Sequence, residues 1–221
     1  VACGRDGGFT GTQVLGKGSH SGWGYLCPGC QRGAVCYVGE TPYPAVDRPC
    51  IVVSDMRQVR APLADRYYGH PSGLLSVIGI TGTKGKTTAA YFTRAILNAY
   101  SNGRCALFSS VDNCLDGHTY VESELTTPES LDAFRMMREA ADNGMRYLVM
   151  EVSSQAYKVN RVHGLTFDVG AFLNISPDHI SDIEHPTFED YLYCKRQLAY
   201  HARAFVLNAA PTHADPIPED A

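Results

Sequence analysis

The sequence predicts an α/β protein, a parallel sheet flanked by helices and carrying a phosphate-binding loop, preceded by a small partial α/β domain. Three observations predict it. From residue 75 onward, strand-length apolar runs alternate with helix-length amphipathic segments. A Gly-rich turn ending in Lys86-Thr87-Thr88 joins the first of these strands to the first helix. Residues 1–50, rich in Gly, Ser, Cys and Tyr, lack that periodicity and belong to a separate, irregular region.

In chain order, residues 1–50 read as short strands and turns, followed by a strand candidate over 50–54. Cys27-Pro28-Gly29-Cys30, with Cys36 nearby, has the spacing of half a zinc site. No second CxxC or CxxH partner follows, so burial as small apolar side chains is the favoured reading. The eight cysteines lie in a chain with no visible export signal and are expected to be free thiols. A helix is expected over 58–68. Gly69, Pro71 and Gly73 then break the pattern, which places a domain boundary near residue 73.

Beyond it the spacing predicts strand 75–80, helix 86–100, strand 105–110, helix 129–143, strands 146–152 and 167–174, helix 187–202 and strand 204–208. Helix 129–143 has Pro128 at its entry, Glu129 at its positive end, and Leu131, Phe134, Met137 and Ala141 on one face; Asn143-Gly144 ends it. The tail 211–221, rich in Pro, Asp and Ala, is expected to lie loosely. No helix pattern follows strand 204–208, so the α/β domain reads as a fragment.

Composition excludes several function classes. At 221 residues, with 44% hydrophobic and 19% charged residues, the chain is globular rather than disordered. Its formal net charge is -4 with basic residues scattered, so no nucleic-acid surface is expected. The longest apolar runs, 74–80, 105–111 and 147–152, have strand length, so no membrane insertion is expected. With no signal peptide visible, a cytoplasmic location is the expectation.

The strongest local signal is Gly79-Ile80-Thr81-Gly82-Thr83-Lys84-Gly85-Lys86-Thr87-Thr88. Its glycines let successive amides turn toward phosphate oxygens, and the helix start adds a positive dipole. Lys86 suits the outer phosphates and Thr87 offers a hydroxyl to Mg²⁺. The spacing GxxxxGK[ST] is not strictly met, because Ile80 stands five residues before Gly85.

Taken with four later stretches, this loop resembles that of the Mur ligase family. They are Leu125-Thr126-Thr127-Pro128, Met150-Glu151-Val152-Ser153-Ser154-Gln155-Ala156, Phe172-Leu173-Asn174-Ile175-Ser176-Pro177-Asp178-His179, and Tyr191-Leu192-Tyr193-Cys194-Lys195, and together they are most similar to its MurE-type branch. The resemblance is dense over 75–208 and faint before it. It implies that 1–73 is part of a UDP-substrate-binding domain, that 74–221 is an incomplete central ATP-binding domain, and that a carboxyl-terminal amino-acid-binding domain is absent.

The reaction implied is ATP-dependent addition of a diamino acid to UDP-MurNAc-L-Ala-D-Glu through an acyl phosphate, in peptidoglycan synthesis. A folylpolyglutamate or cyanophycin synthetase, or a nucleotide-binding module without catalysis, stays open as an alternative. The implied cofactors are ATP and Mg²⁺, with a monomer as the expected state. By resemblance Gly82, Thr83, Lys84, Gly85, Lys86, Thr87 and Thr88 bind the nucleotide, and Lys86, His179 and Lys195 are catalytic. Thr87, Glu151, His179 and Lys195, the last as a carbamate, hold the metal. Thr126, Thr127, Ser153 and Arg161 contact the UDP-MurNAc-dipeptide.

On local grounds alone, Glu151 is a strand-end carboxylate and Lys195 an exposed helix residue, while Thr127 can cap a helix. His163 and His185 match no pattern. Leu125 and Gln155 depart from residues common in the family, Asn and His.

Overall fold

The computed structural model describes residues 2–4, 34–44, 46–178 and 180–208. Cys27, Cys30, His179 and the tail 211–221 lie outside the described residues. The chain divides into two compact units, Val1–Val59 and Arg60–Ala221.

In the first unit, β1 (Ala2–Gly4) pairs antiparallel with β2 (Ala34–Gly39), which pairs parallel with β3 (Cys50–Val52). Tyr37 is buried, and its hydroxyl accepts the Tyr43 N–H at 2.7 Å, closing the turn after β2. Helix α1 (Met56–Tyr67) starts where Asp55 accepts the Arg57 N–H and Glu40 accepts the Met56 N–H. The division between units falls within this helix.

The second unit is a seven-stranded sheet. Its elements are β4 (Ser76–Thr81), α2 (Lys86–Ser101), β5 (Cys105–Phe108), β6 (Asp112–Cys114), β7 (Tyr120–Glu122), α3 (Ser130–Asp142), β8 (Tyr147–Glu151), α4 (Ser154–Lys158), β9 (Phe167–Phe172), α5 (Phe188–Tyr200) and β10 (Ala202–Leu207), with a 3₁₀ turn at Pro71–Leu74 before β4. The strand order is β10-β9-β4-β8-β5-β6-β7. The pairs from β10 to β5 are parallel, and the β6–β7 edge is antiparallel.

Strand alternation sends the two sets of side chains to opposite layers. Val77, Ala106, Phe108, Leu148 and Met150 pack with Ala61 and Ala64 of α1, Phe134, Met137 and Ala140 of α3, and Leu198 of α5. Ile80, Cys105, Leu107 and Val149 pack with Ala90 of α2. Burial on both faces explains why these strands read as unbroken apolar runs. The buried face of α3 centres on Ala133, Phe134, Met136, Met137 and Ala140, while Leu131 and Ala141 flank it half-buried.

The structure departs from the sequence pattern in three places. The strand expected over 105–110 ends at Phe108, because the Ser109 hydroxyl donates to Asp112 O and accepts the Val111 and Asp112 N–H groups, turning the chain into β6. The β6–β7 hairpin has no counterpart in the sequence pattern. It is held from α2 by Arg94, which donates through Nε to Cys105 O (3.0 Å) and through Nη2 to Gly117 O (3.0 Å) and Cys114 Sγ (3.1 Å). The five-residue α4 follows β8 directly; the Ser153 hydroxyl accepts the Ala156 N–H at its start. Among the described residues no helix is long and apolar enough to cross a membrane.

Candidate phosphate-binding site

Strand order sets the position of the site. From β4 the chain runs outward to β5, returns through β8 between them, and then crosses to β9 on the other side of β4. The carboxyl ends of β4, β8 and β9 therefore surround a topological switch point, where open α/β sheets bind ligands. The loop 82–85 lies at the end of β4, Glu151 ends β8, and the segment after β9 runs beside the loop.

Two glycines are required by geometry. Gly85 caps α2 at φ 83°, in the left-handed region. A Cβ on Gly79 would stand 2.7 Å from Phe167 Cδ1 and 2.9 Å from Leu198 Cδ1, so only glycine lets β4 pass that close to β9 and α5. Asn174 fixes the loop from the β9 side: its Oδ1 accepts the Thr83 and Lys84 N–H groups at 3.1 and 3.0 Å, and its Nδ2 donates to Lys84 O at 3.0 Å. Thr83 is buried, exchanges hydrogen bonds with Ser176, and receives the Tyr191 hydroxyl at 3.2 Å.

Two lysine amines meet at one carbonyl. Lys86 Nζ donates to Gly82 O at 3.0 Å and to Thr83 O at 3.3 Å, and Lys195 Nζ donates to Gly82 O at 2.8 Å. Lys195 is 2% exposed, unlike the solvated lysine that its helix alone would suggest. Burial, and then repulsion from Lys86, pull its pKa down to about 7. Burial lowers the Lys86 pKa as well, against the attraction of Glu151. Lys84, by contrast, is solvent-exposed and pairs with Asp178 at 2.9 Å.

On the opposite side of the loop, Glu151 is 1% exposed at the end of β8. Its Oε1 accepts the Ser110 N–H (2.9 Å) and hydroxyl (3.3 Å), and Ser110 Oγ lies 2.9 Å from Thr87 Oγ1. Ser110 thus links the helix-start threonine to the buried carboxylate. Thr88 is exposed on the first turn of α2. A carboxylate and hydroxyls beside a phosphate loop form a hard-oxygen donor set that fits Mg²⁺.

A third cluster adjoins the backbone of Glu151. Buried Thr127 donates its hydroxyl to Glu151 O at 2.9 Å and accepts the Ser153 N–H at 3.0 Å. Arg161 donates to Thr127 O at 3.3 Å and to Glu129 Oε1 at 2.8 Å, and Arg60 reaches the other Glu129 oxygen at 3.3 Å. Thr126 precedes Thr127 in the same turn, and Leu125 is exposed beside it. Between the β6–β7 hairpin and α3 lies a cavity of about 460 Å³ lined by Asp116, Glu122, Glu124, Glu129 and Asp132. Among the described residues that lining is predominantly acidic, with Arg135 its one basic side chain.

No local pattern marks Ser110, Asn174 or Tyr191 in the sequence, although Asn174 and Tyr191 fall within the similar stretches. His185, assigned no role there, is fully buried with both ring nitrogens engaged. Of the proposed metal-binding residues, Thr87 and Glu151 share Ser110, while Lys195 faces the loop from α5.

Comparison with known proteins adds sequence relationships. A family profile described as the Mur ligase middle domain matches residues 80–218. A UDP-N-acetylmuramyl-tripeptide synthetase of Bifidobacterium longum is 68% identical over 192 residues, 86% of this chain and 37% of that protein. A UDP-N-acetylmuramoyl-L-alanyl-D-glutamate--L-lysine ligase of Enterococcus faecalis is 54% identical over 83% of this chain and 36% of its own length. A solved UDP-N-acetylmuramoyl-L-alanyl-D-glutamate--2,6-diaminopimelate ligase is 25% identical with a TM-score of 0.72, covering 87% of this chain and 38% of that one. The chain thus spans less than half the length of these relatives.

Proposed function

The chain belongs to the Mur ligase family, and from that premise we propose that it is the nucleotide-binding part of an ATP-dependent ligase adding a diamino acid to UDP-MurNAc-L-Ala-D-Glu in peptidoglycan synthesis. The observation that carries this reading is the convergence of Lys86 and Lys195 on Gly82 O, with Glu151 linked through Ser110 to Thr87 across the same loop. The names of the relatives support the substrate: they cover L-lysine and 2,6-diaminopimelate as the incoming amino acid.

In this reading the D-glutamate side-chain carboxylate attacks the γ-phosphorus of ATP, ADP leaves, and the acyl phosphate formed is attacked by the diamino acid's amine with loss of phosphate. Such chemistry needs alignment and neutralised charge more than covalent help from protein. With the Thr83 and Lys84 N–H groups held by Asn174, the amides at the start of α2 hold the phosphates, and Lys86 exchanges its carbonyl partners for phosphate oxygens. Thr126, Thr127, Ser153 and Arg161 hold the dipeptide substrate beside the end of β8.

Thr87 and Glu151, Lys195 as a carbamate, and His179 would hold Mg²⁺. Bound there, the ion would neutralise charge on the transferring phosphoryl group. A pKa near 7 leaves a large share of Lys195 as the neutral amine that reacts with CO₂. No membrane insertion or nucleic-acid binding is part of this reading, and a cytoplasmic monomer is its simplest setting.

The test is phosphate release by the intact protein supplied with MgATP, UDP-MurNAc-L-Ala-D-Glu and either lysine or diaminopimelate. Turnover with one diamino acid is expected. Lys86→Ala should abolish it, and normal turnover by that variant would remove the triphosphate from this loop.

A further inference from the structure

A second polar network lies just beyond the end of β8, between α4 and α5. His185 Nδ1 is 2.6 Å from Asp190 Oδ2, and Nε2 is 2.9 Å from Ser154 Oγ, with the ring 0% exposed. Lys158 Nζ also reaches both Asp190 oxygens, at 2.6 and 2.7 Å. Burial alone would raise the Asp190 pKa, but the hydrogen bonds from Lys158 and His185 hold it below the ordinary carboxylate range. An ionised carboxylate only accepts, so Nδ1 donates to Asp190; in the neutral ring Nε2 then accepts the Ser154 hydroxyl.

These partners join three separate parts of the fold. Ser154 begins α4 just beyond β8, and Asp190 sits in the first turn of α5. The next residue, Tyr191, stands edge-on to the His185 ring with centroids 5.2 Å apart. Its hydroxyl donates to Thr83, and its face lies 4.8 Å from Lys195 Nζ, one helical turn further along. From His185 a continuous path of contacts therefore reaches both Thr83 and the lysine that bonds Gly82.

Two other readings of the network fail on its own chemistry. Ser154, His185 and Asp190 have the order of a nucleophilic triad, but the serine is buried and Lys158 already neutralises the aspartate. His185, Asp190 and Cys194 place donor atoms within 4.8 Å of one another, as a metal site requires. Lys158 opposes a cation there, and burial pushes the Cys194 thiol up to about 11.

We propose that His185 is a positioning residue: by bridging Ser154 and Asp190 it fixes α5 against the end of β8, so that Tyr191 and Lys195 meet the phosphate loop. The inference takes from the ligase reading only the use made of that loop; the strut itself stands on these contacts. Its effect is transmitted through Asp190 and Tyr191, and His185 touches no reacting atom.

The test compares wild type, His185→Ala and His185→Asn in the intact protein. Lysines are acetylated by N-hydroxysuccinimidyl acetate and thiols alkylated by iodoacetamide, both in metal-free, CO₂-depleted buffer and read by mass spectrometry, and KM for MgATP is measured separately from kcat. In His185→Ala, acetylation of Lys195 should rise by about tenfold or more as α5 loosens locally. Cys105 and Cys114, fully buried around β5 and β6, should stay unmodified.

Asparagine keeps a donor near the position of Nδ1 and should return Lys195 labelling to within about threefold of wild type. KM for MgATP should follow the labelling across the three proteins. Unchanged Lys195 protection in the alanine variant would overturn the proposal. So would exposure of Cys105 together with Lys195, or an asparagine variant no better than alanine. Failure of the ligase reading would appear differently, as wild-type protein without substrate-dependent phosphate release, and the labelling pattern would still decide the strut.

Discussion

Replacing Lys195 with methionine should make the protein more stable near neutral pH. The structure holds this amine at a pKa of about 7 against an ordinary 10.5. At about 1.4 kcal/mol per pKa unit, placing it in the folded chain costs on the order of 5 kcal/mol. Between those pKa values the unfolded chain binds more protons than the folded one. The cost is therefore full below pH 7 and falls as pH rises toward 10.5.

Methionine fills similar space without an amine, and Gly82 O keeps its bond from Lys86 at 3.0 Å, so no buried carbonyl is orphaned. The lost Lys195 hydrogen bond is worth about 1–2 kcal/mol. The expected gain is about 3–4 kcal/mol at pH 7, shrinking to nothing or reversing by pH 10. Urea unfolding of both proteins at the two pH values, in metal-free and CO₂-depleted buffer, measures it. A variant less stable than wild type at pH 7, or a difference independent of pH, would refute the reasoning. If Lys195 serves the reaction, the same variant is inactive, an exchange of stability for function.

Three further perturbations probe the surroundings. Thr127→Val removes a hydroxyl that serves both Glu151 O and the Ser153 N–H; a loss of about 1–3 kcal/mol in chemical denaturation and a raised KM for the dipeptide substrate are expected. Gly79→Ala puts a methyl group 2.7 Å from Phe167 and should cost about 1–3 kcal/mol, read as a lowered melting temperature. Arg94→Met cuts the bonds that tie Gly117 and Cys114 to α2. A loss of about 2–3 kcal/mol and faster amide exchange in β6 and β7, ahead of β4 and β8, should result.

The central sheet was legible because its strands are buried on both faces, leaving apolar runs such as Tyr147–Glu151 between amphipathic helices. The β6–β7 hairpin was not, since Asp-Asn-Cys and Tyr-Val-Glu carry no periodic signal and depend on a guanidinium from a distant helix. α4 escaped notice because one turn and a half of helix leaves too few positions to show a face. At the site, Lys86 stood out from its glycines, whereas Glu151 and Lys195 needed the family resemblance. Nothing local marks Ser110 or His185. The partners of His185 lie 31 residues upstream and 5 downstream, so only folding brings them into register.

Two amines leaning on one oxygen at Gly82 amount to a compressed spring whenever both carry a proton. The peptide dipole holds them side by side, yet each would sit more easily with the other farther away or with an anion between them. In the ligase reading, a polyphosphate tail settling into the turn gains from the attraction of the Lys86 ammonium and, until Lys195 is carbamylated, from release of the repulsion between the two amines. Neutral ligands of the same shape gain neither, so the turn discriminates by charge before any base or sugar is recognised.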